Sequence, residues 1–163
     1  MVRCALTAED VDAIRRAARR EDVRQAMGAF YAELDAAIAA HQPVCRRRGA
    51  CCRFDEYGHN LFVTTLEAAY FLASVTPSPS GTSLRASAEG VARSGCPCQI
   101  EGRCSVRDVR PMGCRVFFCD PQSQHWQGPL TEDSLRALRA LHGRLAVPYR
   151  YMEWRNLLAS LGL

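Results

Sequence analysis

At 163 residues, with 48% hydrophobic and 23% charged side chains, the chain is long enough to bury its own core and too apolar for global disorder. Its formal charge of +4 is too mild to argue for a nucleic-acid partner, and all 21 of its Lys and Arg residues are arginine, which excludes P-loop, Schiff-base and general-base lysines. No uncharged run approaches the roughly 18 apolar residues of a membrane span, and the opening segment lacks the apolar core of a secretory signal, so a cytoplasmic protein is expected.

From Thr7 the sequence reads as a helix, with Asp10 three residues on completing a capping box of the weaker Asp type. A second helix is expected over 22–40. There Val23, Met27, Phe30, Tyr31, Leu34 and Ile38 recur at three- and four-residue steps to make one apolar face, closed by Pro43. Leu61-Phe62-Val63 reads as a short strand. Thr64 then offers an N-cap with Glu67 at N3, opening a helix to about Ala73. The segment 77–81 is a Pro/Ser/Gly loop, and 83–93 a short, weakly specified helix. Thr131 is expected to cap a helix carrying Leu135, Leu138, Leu141 and Leu145. Pro148 then starts a last helix over 149–161, stopped by Gly162. The pattern predicts a mainly α, small single-domain protein (1–163) with two irregular Cys-rich loops and at most a short strand or two. N-terminal helices occupy 1–42, a Cys-cluster region 45–119, and C-terminal helices 131–162.

Eight of the nine cysteines lie in two bursts within that middle region. The first holds Cys45, Cys51 and Cys52; the second holds Cys96, Cys98, Cys104, Cys114 and Cys119. Short gaps let thiolates converge with little loop-closure cost, and in a reducing compartment dense thiols point to a metal or a cluster. An exported protein could instead form disulfides from the same eight. Thiolates suit zinc, copper(I) or iron–sulfur clusters and are poor ligands for magnesium or calcium. Gly49, Gly95, Gly102 and Gly113 let the backbone approach such a centre closely. Cys4 lies outside the bursts and reads as a small buried hydrophobe or an exposed thiol.

A tetrathiolate site is anionic, and burying that charge requires compensation. Arg46, Arg47, Arg48, Arg53, Arg103, Arg107, Arg110 and Arg115 all stand within a few residues of a cysteine. Taken singly, most read as a solvated basic face. Arg110 and Arg115, bracketing Pro111 and Cys114, read as cofactor-binding, because guanidinium stays charged and presents a fork of donors.

The run Cys104-Ser-Val-Arg-Asp-Val-Arg110-Pro111-Met-Gly-Cys114-Arg115-Val-Phe-Phe-Cys119 closely resembles the signature of the YkgJ-type cysteine-cluster family, a zinc- or iron-chelating domain. That pattern is roughly C-P-x-L…G-x-C-x-I-Y-x-x-R-P-x-x-C-R-x-F-x-C after an earlier C-x-x-C-G-x-C-C. Thr64-Thr-Leu-Glu67-Ala-Ala is similar to the stretch between the family's bursts, and Pro148-Tyr-Arg-Tyr-Met-Glu-Trp154 to the tail of longer members. The resemblance covers about residues 45–120. Arg48 stands where the family has a cysteine, and Cys98 is additional. Either Cys98 replaces the missing ligand in space or one site has lost a ligand. The resemblance implies Cys45, Cys51, Cys52, Cys96, Cys104, Cys114 and Cys119 as metal ligands, with Cys98 added by substitution. The family is also similar to part of a flagellin lysine N-methylase with an iron–sulfur cluster, so an iron–sulfur cluster, of the 4Fe–4S type first, is implied ahead of zinc.

His59 and His125, which follow Cys52 and Cys119, read as loop histidines, with ligation or proton carriage as the alternative. His142 reads as structural, on the polar flank of its helix. Tyr149, Tyr151, Met152 and Trp154 read as core, or as a partner surface if exposed beside Arg150 and Arg155. No acid–base pair stands out, so no catalytic residue is assigned and enzymatic activity stays open. The leading expectation is a cytoplasmic protein holding an iron–sulfur or other iron–thiolate centre for redox, sensing or accessory work, with a protein partner and neither membrane nor nucleic acid. A structural zinc-binding interaction module and a cluster-dependent protein-modifying enzyme are the alternatives.

Overall fold

The computed structural model describes residues 6–45, 49–75 and 95–163; Cys4, Arg46, Arg47, Arg48, the 77–81 loop and the 83–93 helix lie outside the described residues. Helix α1 (Ala8–Ala18) begins at the expected capping box. Thr7 Oγ1 accepts from Asp10 N at 3.1 Å, and Asp10 Oδ2 accepts from Thr7 N at 3.1 Å. Helix α2 (Glu21–Ala40) buries Val23, Met27, Tyr31, Leu34 and Ile38 of the anticipated apolar face, leaves Phe30 half-buried at its margin, and ends before Pro43.

A one-turn helix α3 (Phe54–Tyr57) leads to strand β1 (Phe62–Thr64), one residue later than expected. Helix α4 (Thr65–Val75) is the central element, with α1 and α2 packed on it. Its start is the predicted Thr64/Glu67 capping box: Thr64 N donates to Glu67 Oε2 at 2.7 Å and Glu67 N to Thr64 Oγ1 at 3.4 Å. The second Cys burst holds a hairpin, β2 (Gln99–Ile100) with β3 (Arg103–Cys104), and a short helix α5 (Met112–Val116).

The tail departs from expectation twice. Helix α6 (Gln124–Leu145) starts well before Thr131 and runs through Pro129. Proline there removes one helical hydrogen bond, yet tertiary ties hold the first turns in place. The Gln127 amide bonds both Phe118 N (3.1 Å) and Phe118 O (3.0 Å), and Trp126 stacks on His41 at 4.7 Å. Thr131 bonds back to Gln127 O at 2.7 Å instead of capping. Second, residues 151–153 form strand β4 (Tyr151–Glu153), antiparallel to β1 with Phe62 opposite Glu153. Helix α7 (Trp154–Leu161) therefore opens at Trp154, with Glu153 accepting from Asn156 N at 2.9 Å, and stops at left-handed Gly162.

Among the described residues the fold is seven helices with two two-stranded sheets, mainly α, and no helix is long and apolar enough to cross a membrane. One continuous core joins α1, α2, α4, α6 and α7, and it takes in Cys98, Val106, Met112 and Val116. The Cys-rich loops are thus part of the core.

His142 does not sit on a polar flank. It is 3% exposed, its Nδ1 pairs with Val147 O at 3.0 Å, and burial holds its pKa below the ordinary 6.5. The stability this neutral ring contributes is fully present above the unfolded value and is lost as pH falls through the depressed folded one. Urea unfolding from about pH 7.5 to about pH 5.5 is expected to show wild type losing its lead over His142→Gln; a pH-independent difference would contradict the assignment.

Candidate metal centre

Two glycines let the bursts meet backbone to backbone. Gly49, at φ +68°, turns the chain left-handed into a 3-10 turn over Ala50–Cys52. A Cβ on Gly49 would lie 2.5 Å from Gly102 O and 2.6 Å from Gln99 Nε2, while Gln99 Nε2 donates to Gly49 O at 3.0 Å. One register further, Cys96 N donates to Cys52 O at 2.7 Å, and a Cβ on Gly95 would stand 2.9 Å from that oxygen. The loop tip of the β2–β3 hairpin is Glu101-Gly102, both with positive φ, which is the geometry of a tight two-residue turn. Cys98 O then accepts from both Ser105 N (2.9 Å) and Ser105 Oγ (2.8 Å).

We expect Gly49→Ala to strain a left-handed position by about 1–3 kcal/mol and to push the loops apart. Thiol labelling of the reduced protein measures this. Buried Cys52 and Cys98 should label faster in the variant, and equal labelling rates would refute the close-approach argument.

All eight burst cysteines line one cavity of about 340 Å³, together with Arg103, Arg107, Arg110 and Trp154. That volume falls in the range of cofactor pockets, about 300–1,000 Å³. The eight are graded from the core outward: Cys52 and Cys98 are buried, Cys51, Cys96, Cys104 and Cys114 half-buried, and Cys45 and Cys119 exposed. The sulfurs of Cys51 and Cys52 lie 4.0 Å apart. Two thiolates on one tetrahedral zinc, each bonded at about 2.3 Å, stand about 3.8 Å apart. Among the described residues, however, no three His, Cys, Asp or Glu side chains form a group that could hold a metal ion. The thiols share a cavity without closing a ligand polyhedron.

Hydrogen bonding divides the inner thiols into donors and acceptors. Cys51 is held below the ordinary thiol value by its bond with Cys52, and Cys96 by its bonds with Cys52 and Cys98. Cys52 and Cys98 are pushed up by the same bonds. Burial raises Cys104 and Cys114, and Arg110 pulls both back, as it does Cys51. Arg110 is thus the cation these three sulfurs share. Its own pKa is drawn down by burial and then by neighbouring Arg107, and its buried Nε has no hydrogen-bond partner among the described residues.

Arg115, grouped with Arg110 in the sequence reading, is not on the cavity wall. Successive helical residues point about 100° apart, so Cys114 and Arg115 on α5 face different ways. The Arg115 guanidinium is 5% exposed. It bonds Asp35 Oδ2 (2.6 Å), Asp108 O (2.5 Å) and Arg110 O (2.9 Å), and lies 4.1 Å over the Tyr31 ring. It clamps the Cys104–Cys114 loop to α2 and does not face the thiols. His59 pairs with Cys51 O at 3.3 Å and His125 with Gln122 O at 2.7 Å; neither lines the cavity.

The residue that sequence reasoning placed in the core and did not connect with the thiols is Trp154. It is 1% exposed, packs edge-on against Phe71 at 4.7 Å, and reaches the cavity from the C-terminal segment. Its neighbours in the aromatic run diverge, Met152 being buried and Tyr151 50% exposed.

No family model, characterised protein or solved structure matches this chain. What it can hold is therefore read from the cavity wall.

Proposed function

We propose that the protein carries an inorganic thiolate-bound centre between its two cysteine bursts, an iron–sulfur cluster ahead of zinc, and uses it in a reducing cytoplasmic compartment for redox, sensing or accessory work. The observation that supports this reading is the convergence of all eight burst cysteines on one cavity of about 340 Å³. Four thiolates complete the shell of a single zinc ion, so eight around one space favour a cluster or several metals. The wall chemistry fits the same occupant. Arg110 supplies permanent positive charge against thiolates, and two buried N–H donors, Arg110 Nε and Trp154 Nε1, meet no acceptor at full hydrogen-bond geometry among the described residues. Sulfur ligands accept such donors.

Cys51, Cys52, Cys96, Cys98, Cys104 and Cys114 would hold the centre, with Cys98 filling the place that Arg48 leaves in the YkgJ-type pattern. Cys45 and Cys119 lie at the open side, where Val44 (61% exposed) and Phe117 (48% exposed) offer apolar surface to a protein partner. When bound, an iron–sulfur centre supplies one-electron transfer, its potential set by hydrogen bonds and burial.

Anaerobic purification with analysis of iron, acid-labile sulfide and zinc tests the reading. A brown protein containing iron and sulfide is expected, with Cys96→Ala losing both and Cys4→Ala retaining them. A colourless zinc protein would make the module structural. A metal-free polypeptide that is stably folded under these conditions would sink the proposal.

A further inference from the structure

Trp154 enters the cavity from a part of the chain that holds none of the eight thiols. Its position is set by pairing between distant segments: β4 lies against β1, and Trp154 N donates to Leu61 O at 2.8 Å as α7 begins. The indole is then held by its edge contact with Phe71. Within this seat Nε1 is buried and, among the described residues, meets no acceptor at full hydrogen-bond geometry, although the indole lies close enough to the Cys96 sulfur to favour its thiolate. A buried indole N–H without a well-formed acceptor is costly unless one arrives with a ligand. The wall it reaches is lined by cysteine sulfur, and Cys96 is the thiol toward which the indole acts as a donor. Arg110, on the same cavity wall, has a buried Nε that likewise meets no acceptor among the described residues.

We propose that Trp154 is a positioning residue of the metal centre, its indole N–H closing onto Cys96 sulfur when metal is bound and so tying the C-terminal helix to occupancy of the site. The inference rests on the thiolate-metal reading above. It adds a residue outside 45–119 and a coupling between α7 and the cysteines. Outer partners of this kind orient a ligand and tune its bond to the metal; their loss costs about 10–100-fold in metal affinity.

Cobalt(II), which reports thiolate ligation through an intense near-ultraviolet charge-transfer band, is the probe. The full-length, reduced protein is titrated anaerobically with Co(II), wild type beside Trp154→Phe, which keeps an aromatic ring against Phe71. Wild type is expected to develop the band. Trp154→Phe is expected to bind about 10–100-fold more weakly with the band displaced in energy. If wild type shows no sulfur-to-cobalt band, the metal reading itself fails. If both proteins show the same band and the same affinity, the metal reading stands and the role of Trp154 is overturned.

Should Trp154→Phe not fold, Trp126→Phe leaves Trp154 as the single indole, since the chain has two tryptophans. Its N–H proton resonance is expected to shift strongly on Co(II) loading. A resonance unmoved by bound Co(II) overturns the inference.

Discussion

Arg115→Ala is expected to lower the unfolding free energy by about 3–5 kcal/mol, whereas Arg110→Ala leaves the fold nearly intact and weakens metal binding by about 10–100-fold. The two arginines differ in what they touch. Arg115 is buried and donates to two backbone carbonyls of the 108–110 turn and to Asp35 on α2, with its face on Tyr31. Hydrogen bonds from a charged donor contribute about 1.5–3 kcal/mol each. Truncation leaves the Asp108 and Arg110 carbonyls without that donor and empties the space beside Tyr31. Asp35, half exposed, is hydrated at little cost. Arg110 Nε has no partner among the described residues, and the guanidinium acts on Cys51, Cys104 and Cys114 through charge, so its loss is felt once thiolates gather around a metal. Urea unfolding of the metal-free proteins, beside Co(II) titration of each, separates the two effects. Equal destabilisation by both substitutions would show that Arg110 also holds the fold.

Glu67→Ala should cost about 2–5 kcal/mol, because one buried carboxylate satisfies donors on two elements at once. Oε2 accepts from Thr64 N at 2.7 Å and caps α4, while Oε1 accepts from Met112 N at 2.9 Å at the head of α5. Removing it orphans two buried backbone N–H groups, each at about 1–3 kcal/mol. It also frees the start of the helix that carries Cys114. Glu67→Gln retains one acceptor but turns an amide N–H toward the other donor, so its stability should fall between wild type and alanine. Chemical denaturation of the three proteins checks the order. A Gln variant as stable as wild type would mean that only one of the two bonds contributes.

Glu67 also shows how much could be read locally. Its capping role toward Thr64 lies within a four-residue window and follows from residue types and spacing. Its second bond, to Met112, joins the scaffold to the cysteine region across 45 residues and leaves no mark on the local pattern. The same division runs through the site. Spacing was enough to nominate the eight cysteines, and Arg110 with them, and all nine line one cavity. Arg115, adjacent to Cys114 and richer in arginine-like promise, turned to the other side of a helix.

The sequence by itself determined the capping boxes, the apolar face of α2, the mainly helical class and the two thiol bursts. These depend on hydrogen bonds and side-chain periods that close within a turn or two of chain. Tertiary structure alone decided that 151–153 pair with β1, that α6 survives Pro129, and that Trp154 reaches the thiols. Such outcomes depend on segments far apart in the chain competing for the same buried space, and no local window contains that competition.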